Sequence, residues 1–378
     1  MSSAAPAPLE TWPTWRAESG APAPRRVVAA DDTLSADVAY RLACEGTGLL
    51  WQGDFHNARQ LLQALARRTE RKPKKAKKPA PEVSPAHAFH LHRQALGQRA
   101  RVLGMVLVPL NGDYSIPLRR APDLQHACTE AWGPATGEAC MVSLRELLGL
   151  VGAHEWRKKG VVIPALGESN NRIHPHYGVF SPVRGEYVDL VAHTPIKDKS
   201  LAFDIGVGTG VLSAVLAQRG VKHIVATDQD PRALACAREN LQRLQRLDKV
   251  ALVQTDLFPA GQAPLVVCNP PWVPARPSSP IEHAVYDEGS RMLRGFLSGL
   301  RAHLTPEGEG WLILSDLAEH LGLRTREELM GWIRDAGLQV QGRHDIQPRH
   351  GKATDATDPL HAARAKEVTS LWRLAAAA

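Results

Sequence analysis

The segment Leu201–Gln218 constrains the fold more than any other part of the chain, because an apolar strand, a glycine-rich turn and a helix follow one another in it. Three glycines alternate with other residues over Gly206–Gly210, so the backbone can approach a ligand closely at the start of the helix. The spacing differs from the Gly-x-Gly-x-x-Gly of dinucleotide-binding folds, and Asp204 before the first glycine disfavours a bound phosphate. The segment therefore predicts an α/β fold with a site for a cationic or amino-bearing ligand.

Two further predicted strands end at carboxylates. Residues 223–227 lead to Asp228, and residues 250–254 lead to Asp256. A carboxylate at the tip of the second strand of such a fold is placed to accept the two ribose hydroxyls of a nucleoside. We therefore expect Asp228 to bind a ribose and Asp256 to lie within reach of an adenine amino group.

A stiff polar loop, Asn269-Pro270-Pro271-Trp272, follows the apolar strand at 264–268. Each proline fixes φ and lacks an N–H, so the Asn269 and Pro270 carbonyls are not taken up by a helix or a sheet ladder. The loop offers hydrogen-bond acceptors beside an indole face, which suits a planar amino group stacked on Trp272. Taken alone, a Pro-Pro turn after a strand is also an ordinary structural stop.

Together these motifs resemble those of class I S-adenosylmethionine-dependent methyltransferases, and the Asn-Pro-Pro-aromatic motif resembles that of the branch that methylates planar nitrogens. The resemblance covers residues 178–374, about half of the chain. It implies an α/β, Rossmann-like fold with a seven-stranded, mostly parallel methyltransferase sheet. It implies S-adenosyl-L-methionine as the cofactor, bound by Asp204, Gly206, Gly208, Gly210, Asp228, Asp256 and Asn269. It also implies a catalytic site formed by Asn269, Pro270, Pro271 and Trp272.

Two subfamilies are similar in different motifs. Gly178-Val-Phe-Ser181 resembles the small rRNA guanine-N2 methyltransferases. Ser181-Pro-Val-Arg184-Gly-Glu186 and Asn269-Pro-Pro-Trp-Val-Pro274 resemble the HemK/PrmC-type protein glutamine methyltransferases. Trp272 replaces the more usual Tyr or Phe of the motif, and the N-terminal half matches neither subfamily.

The resemblance favours N-methylation of an exocyclic amine of an RNA base, with rRNA as the expected substrate. The alternative is a protein glutamine N5-methyltransferase acting on a translation or ribosomal protein, because the Asn-Pro-Pro geometry serves any planar primary amide. A noncatalytic RNA- or ribosome-binding protein is the third hypothesis. The intact glycine turn, both acidic residues and Asn269 disfavour it.

The net charge of +7 has a local source. The segment Arg67–Lys78 contains eight basic residues and one acid, so the rest of the chain sums to zero. Its prolines predict a solvated linker. Two interpretations remain open for this segment, a contribution to solubility without a partner, or binding of the phosphates of RNA or the ribosome.

The predicted organisation has five parts. They are a disordered Ala/Pro-rich tail at 1–24, a small helical module at 25–66, the basic Pro/Lys linker at 67–85, an α+β accessory region for substrate recognition at 86–170, and the methyltransferase domain at 171–378. In the accessory region, Asn111-Gly112 predicts a hairpin whose returning strand is 114–118.

The remaining features concern location and metals. The five cysteines include no Cys-x-x-Cys pair, and the chain has no run of about 18 apolar residues. These observations predict reduced thiols in a cytoplasmic protein that does not contact the membrane. No metal site is predicted, because two groups of histidines lack nearby cysteine or carboxylate partners in the sequence. These are His87, His90 and His92, and His174 and His176.

Overall fold

The chain forms two compact units that interrupt each other in sequence. The computed structural model describes residues 12–70, 83–277, 280–348, 355 and 358–377. The N-terminal unit runs to Val83 and resumes over His90–Glu155, whereas the C-terminal unit contains Ser84–Phe89 and the chain from Trp156 onward. The division between the accessory and methyltransferase regions, which the sequence placed at 170/171, thus falls at 155/156.

The N-terminal unit is built on a five-stranded sheet. Its strands are β1 (Thr14–Arg16), β2 (Arg26–Ala30), β3 (Thr47–Trp51), β4 (Val106–Leu110) and β5 (Cys140–Ser143), in the order β1-β5-β4-β3-β2. The neighbours β2, β3 and β4 are parallel, and β5 runs antiparallel to β4 and parallel to β1. Its helices are α1 (Ala36–Cys44), α2 (Phe55–Thr69), most of α3 (Pro85–Leu103), α4 (Gln125–Trp132) and most of α5 (Leu144–Lys159).

Several sequence predictions differ from this unit. Residues 25–66 are not a separate helical module, because β2 pairs with β3, and β3 pairs with β4 of the accessory region. Part of the tail predicted to be disordered forms the edge strand β1, and residues 1–11 lie outside the described residues. Short strands with distant partners were missed because a run of three to five residues carries little periodicity.

The predicted hairpin at Asn111-Gly112 is also corrected. The antiparallel partner of β4 is β5, not residues 114–118. Tyr114 has a φ of 67° and is buried, with its ring packed edge-to-face on Trp132 at 5.6 Å between centroids. This packing takes the segment away from the sheet. In the predicted linker, Arg67 and Arg68 continue α2, and residues 71–82 lie outside the described residues.

A seven-stranded sheet organises the C-terminal unit, after a short pair formed by β6 (Val161–Val162) and β7 (Arg172–Ile173). The sheet strands are β8 (Leu201–Ile205), β9 (His223–Asp228), β10 (Val250–Gln254), β11 (Ala263–Cys268), β12 (Leu304–Ser315), β13 (Leu338–Ile346) and β14 (Thr369–Ala376). Their order is β10-β9-β8-β11-β12-β14-β13. The neighbours from β10 to β12 are parallel, and β14 runs antiparallel to β12 and β13. The predicted Rossmann-like, mostly parallel sheet is therefore confirmed.

Helices pack against buried apolar residues of this sheet. They are α6 (Glu186–His193), α7 (Val211–Gln218), α8 (Pro231–Arg243), α9 (Arg291–His303), α10 (Leu317–His320), α11 (Arg326–Asp335) and α12 (His361–Arg364), with short 3-10 turns at Pro164–Leu166, Leu247–Lys249, Pro280–Ala284 and Glu288–Ser290. Local signals explain where two of them begin. The Asp230 side chain accepts a hydrogen bond from the Arg232 amide, and Thr325 and Glu328 form a capping box.

The parallel strands place their following residues at one edge of the sheet. Because β8, β9, β10 and β11 run in the same direction, their carboxyl ends meet there. The turn after β8 carries the three glycines, and Asp228, Asp256 and Asn269 end or follow the other three strands. Among the described residues, no helix has the length and apolar content needed to cross a bilayer.

Candidate active site

A cavity of about 850 Å³ lies at this edge of the C-terminal sheet. All of the predicted site residues border it except Asp204 and Gly210. The residues that border it are Gly206, Gly208, Asp228, Asp256, Asn269, Pro270, Pro271 and Trp272. Residues separated by up to 66 positions in the sequence are thus brought to one wall, as the strand-end argument requires.

The glycine turn has a backbone that favours glycine and opens onto the cavity. Gly206, Gly208 and Gly210 have φ values of +79°, +51° and +81°. The amides of Gly206 and Val207 both donate to the Thr227 carbonyl, at 2.9 and 2.8 Å, which ties the turn to β9. A Cβ on Gly208 would meet no atom within 4 Å. The turn therefore leaves space for a ligand directly over its backbone.

Gly210 and Asp204 support the turn from behind. A Cβ on Gly210 would approach Ala237 of α8 at 3.2 Å, so glycine lets the turn pack on that helix. Asp204 is 1% exposed, and its Oδ2 accepts a 2.6 Å hydrogen bond from Ser213 Oγ. Burial raises the pKa of Asp204 to about 6. The structure therefore places both residues beneath the cavity wall, where the sequence had suggested contact with the cofactor.

Asp228, at the end of β9, borders the cavity with both carboxylate oxygens held in place. Oδ2 accepts from the Gly208 amide at 3.1 Å, and Oδ1 accepts from the Asp230 amide at 3.0 Å. Burial raises the pKa of Asp228, and the backbone hydrogen bonds oppose that shift. Since a carboxylate oxygen has a second lone pair, each can still accept from a ligand hydroxyl. The turn and this carboxylate thus form one preorganised group.

Asp256 forms an ion pair with Arg291, the first residue of α9. Both residues border the cavity, and both side chains are more than half exposed. The sequence analysis did not identify Arg291, because the two residues lie 35 positions apart and no motif links them. The guanidinium takes one carboxylate oxygen and leaves the other for a ligand.

Trp272 is hydrogen-bonded to the amide of its own motif. Its Nε1 donates to Asn269 Oδ1 at 2.9 Å. Because an indole nitrogen is a donor only, the bond identifies the amide oxygen and directs it toward the ring. Trp272 is half-buried and packs against the apolar residues of the sheet. A phenylalanine at this position could not orient Asn269 in this way, because its ring carries no donor.

An apolar wall adjoins Trp272 on the same cavity. It contains Phe89, Tyr286, Leu317, Leu321 and Leu360. The rings of Phe89 and Tyr286 meet edge-to-face, with centroids 6.4 Å apart and planes at 61°. The sequence analysis did not predict these residues, because they lie on four separate segments and carry no polar signature. Their side chains make this part of the cavity suited to a flat or aliphatic group.

Two arginines also border the cavity, and both are ion-paired. Arg184 Nη1 lies 3.8 Å from Glu367 Oε1, and Arg364 Nε lies 2.9 Å from Asp358 Oδ2. Glu367 is buried, which raises its pKa. The charges of both arginines are therefore balanced within the protein, and the apolar wall has no excess charge from them.

The cofactor side of the cavity fits S-adenosylmethionine. The open face of Gly208 admits a ligand close to the backbone, Asp228 retains acceptors for hydroxyl groups, and Asp256 retains an acceptor for an amino group. The volume is also within the range of ~300–1,000 Å³ that is typical of small-molecule sites.

The C-terminal part of the chain is similar in sequence to a known family of methyltransferases. Residues 170–325 match the family model of the methyltransferase small domain. A tRNA1(Val) (adenine(37)-N6)-methyltransferase from Shewanella loihica is 31% identical over 183 residues, which are 46% of this chain and 72% of that protein. A putative protein N5-glutamine methyltransferase from Methanocaldococcus jannaschii is 29% identical over 178 residues, 45% of this chain and 85% of that protein.

One solved structure is also similar to part of this chain. The ribosomal protein L11 methylase from Lactobacillus delbrueckii subsp. bulgaricus aligns over 55% of this chain and 86% of its own, with 18% identity and a TM-score of 0.38. The sequence relatives and the family model confirm the predicted resemblance, the N-methyltransferase activity and S-adenosylmethionine as the cofactor. The chain belongs to the methyltransferase small-domain family and is an S-adenosylmethionine-dependent N-methyltransferase.

Proposed function

We propose that this enzyme methylates an exocyclic amine of an RNA base. The observation that carries the proposal is the Trp272–Asn269 hydrogen bond on the cavity wall, which sets an aromatic face beside an oriented amide oxygen. Phe89 and Tyr286 add a second aromatic surface. Stacking of a base on an aromatic side chain contributes ~1–3 kcal/mol, and an aliphatic amide would not gain it.

The relatives support the same class of acceptor. The Shewanella protein is named for methylation of an adenine N6 in tRNA, which is an exocyclic amine on a purine. We therefore take adenine N6 as the first amine to test. That the base lies in rRNA stays a prediction of the sequence analysis.

The site residues would hold the amine by its hydrogens. One hydrogen would be accepted by the second lone pair of Asn269 Oδ1, since the first takes the indole N–H. We assign the other hydrogen to the Pro270 carbonyl. Trp272 would lie against the plane of the base. This arrangement leaves the lone pair of the nitrogen directed away from the loop.

Alignment is the main contribution that these residues make. S-adenosylmethionine supplies a methyl group on a sulfonium, which is an excellent leaving group. The lone pair of the amine nitrogen would form the new N–C bond as the S–C bond of the donor breaks, and the sulfur would keep the electron pair of the broken bond. Holding reacting groups in line can contribute ~7–11 kcal/mol. The Asn269 and Pro270 oxygens would stabilise the charge that develops on nitrogen, and its proton then leaves to water without a strong base.

A glutamine side chain of a protein is the second candidate acceptor. The methylene groups of such a side chain would fit the aliphatic wall of Leu317, Leu321 and Leu360. The similarity to a putative protein N5-glutamine methyltransferase supports this candidate. The acceptors for a planar amide would be the same Asn269 and Pro270 oxygens.

The basic segment Arg67–Lys78 remains a proposed contact for RNA or the ribosome. Within its described part, Arg68 is already paired with Asp37 at 2.7 Å and belongs to α2. The contact therefore rests on the net charge of the sequence at 71–78. We expect deletion of residues 71–78 to weaken RNA binding and to make the affinity less dependent on salt. Each phosphate contact that is lost should reduce the slope of log affinity against log salt concentration by roughly 0.7–0.9.

The free thiols of all five cysteines accord with the predicted cytoplasmic location.

One labelling experiment distinguishes the two acceptors. Purified enzyme and tritiated S-adenosylmethionine are incubated with ribosomes and total RNA from a strain lacking the gene, with Asn269→Ala as the inactive control. We expect label that RNase removes and protease does not, with methyladenine found by nucleoside mass spectrometry. Protease-sensitive label would select the glutamine candidate. No label in either fraction, with cofactor binding intact, would contradict both.

A further inference from the structure

Two histidines and a glutamate from different helices of the N-terminal unit meet at one point. His126 and Glu130 lie one turn apart on α4, and His154 lies on α5. His154 Nδ1 is 2.8 Å from Glu130 Oε2, and His126 Nδ1 is 3.4 Å from Glu130 Oε1. The three potential ligand atoms all lie within 4.8 Å of one another, and the imidazole centroids are 5.2 Å apart. Three groups that commonly bind metals thus converge.

We propose that His126, Glu130 and His154 bind a divalent ion of the zinc class, which ties α4 to α5. Two imidazole nitrogens and one carboxylate oxygen form a donor set that zinc accepts, with bonds of ~2.0–2.2 Å. A tetrahedral ion with these bonds separates its ligand atoms by roughly 3.3–3.5 Å. The observed separations therefore need to change by about 1.5 Å at most. Magnesium and calcium prefer all-oxygen sites and are not expected here.

The exposure of the three side chains permits this adjustment. Glu130 and His154 are 20% and 16% exposed, so the packing of the helices holds them near their present positions. His126 is 79% exposed and can rotate onto the ion without disturbing the core. Three protein ligands leave the fourth position of a tetrahedral ion to water. The ion would therefore cross-link α4 and α5.

The sequence analysis predicted no metal site because it considered histidines close together in the chain. His154 lies 24 positions after Glu130, with β5 between them, and only the fold brings them together. The 2.8 Å distance would also arise from an N–H···O hydrogen bond from His154 to Glu130, with His126 in a longer contact of 3.4 Å with the same carboxylate. A direct measurement of ion binding separates these two explanations.

The test uses the full chain after treatment with a chelator. Titration calorimetry with zinc chloride, and the visible absorption of the cobalt-loaded protein, report the stoichiometry and the ligand geometry. We expect one ion per chain and a four-coordinate cobalt spectrum. His126→Ala and Glu130→Gln should each weaken binding at least about tenfold, since even changes outside the ligand shell cost ~10–100-fold in affinity. His56→Ala is the matched control, because His56 is an exposed histidine on α2 of the same unit.

The proposal is overturned if the chelator-treated parent protein binds no zinc at one equivalent, or if His126→Ala binds zinc as tightly as the parent. Since His126 is mostly exposed, its removal should leave the circular dichroism spectrum unchanged, which keeps the variant informative. A melting temperature that rises with zinc in the parent and in His56→Ala, but not in His126→Ala, is the expected result. An equal rise in all three would also contradict the proposed site.

Discussion

The cofactor side and the acceptor side of the cavity are assembled in different ways. The cofactor side uses the ends of consecutive strands, from Gly206 to Asp256, and backbone amides hold its carboxylate in place. The acceptor side collects Phe89, Asn269–Trp272, Tyr286 and several leucines from remote parts of the C-terminal unit. Sheet topology places the residues of the first side and the Asn269–Trp272 loop, whereas the apolar wall of the second side depends on side-chain packing. We therefore expect changes in the apolar wall to affect the choice of acceptor without disturbing the strand ends of the cofactor side.

The largest expected effect concerns the acceptor side. Asn269→Ala removes the proposed acceptor for the amine and should lower turnover by ~10²–10³, as loss of one aligned polar group does in other active sites. Cofactor affinity should be largely unchanged, because the proposed mechanism assigns the Asn269 oxygen to the amine and not to the cofactor contact that the resemblance implied. Single-turnover rates and equilibrium binding of S-adenosylmethionine measure the two properties separately. Asn269→Asp keeps an oxygen acceptor and should fall between Asn269→Ala and the parent. Near-normal turnover in Asn269→Ala would remove this residue from the mechanism.

The next effect concerns stability beneath the cofactor side. The pKa of Asp204 rises from 3.8 to about 6 on folding, so the folded state binds the proton more tightly than the unfolded state. Stability should therefore fall as pH rises from 3.8 through about 6, and the loss should be complete above that range. A pKa shift of this size corresponds to a change of about 3 kcal/mol in the free energy of unfolding.

Asp204→Asn tests this directly. The amide oxygen can still accept from Ser213, but it cannot ionise. Urea unfolding of parent and variant at several pH values should show that the parent loses stability relative to the variant between pH 4 and about pH 7. Parallel pH profiles for the two proteins would show that Asp204 does not titrate in this range.

A somewhat smaller effect is expected at the cofactor carboxylate. Asp228→Ala removes charged acceptors whose hydrogen bonds contribute ~1.5–3 kcal/mol each, so cofactor affinity should fall roughly 10- to 150-fold per bond. Turnover at saturating cofactor should recover much of the parent value, unlike that of Asn269→Ala. Asp248→Ala, at an exposed aspartate of a 3-10 turn, is the control. Unchanged cofactor affinity in Asp228→Ala would mean that the two sides of the cavity are assigned incorrectly.

The sequence was sufficient to predict those parts of the site that a characteristic residue at the end of one strand identifies. The glycine turn, Asp228 and the Asn-Pro-Pro-Trp loop follow from periodicity and from the parallel topology. The capping box at Thr325 and the Asp230 cap were equally local. These features depend on neighbours within a few positions, which a single sequence displays.

The sequence was insufficient to predict contacts between residues that are far apart in the chain. Arg291 on Asp256, Phe89 on the acceptor wall and His154 on Glu130 involve pairs at least 24 positions apart, and no spacing rule connects them. The five-stranded sheet of the N-terminal unit was missed for the same reason, since its strands are short and pair across long insertions. Asp204 is the opposite case. Its motif predicted contact with the cofactor, but the fold buries its side chain beneath the cavity wall.

The smallest expected effect tests the link between the two halves of the Asn-Pro-Pro-Trp loop. Trp272→Phe keeps an aromatic face but loses the N–H that orients Asn269. A neutral hydrogen bond contributes ~0.5–1.5 kcal/mol net, so kcat should fall roughly 2- to 12-fold. KM for the acceptor should change little, because the stacking surface remains. Steady-state kinetics with the RNA or protein fraction that accepts the methyl group gives both constants.

Trp272→Ala separates orientation from stacking. It removes the ring as well, so we expect KM to rise by an amount that reflects the ~1–3 kcal/mol of base stacking, in addition to the lower kcat. If Trp272→Phe instead raised KM as much as Trp272→Ala and left kcat unchanged, the indole would bind the acceptor without orienting Asn269. The acceptor side would then depend on shape alone, and its difference from the hydrogen-bonded cofactor side would be sharper still.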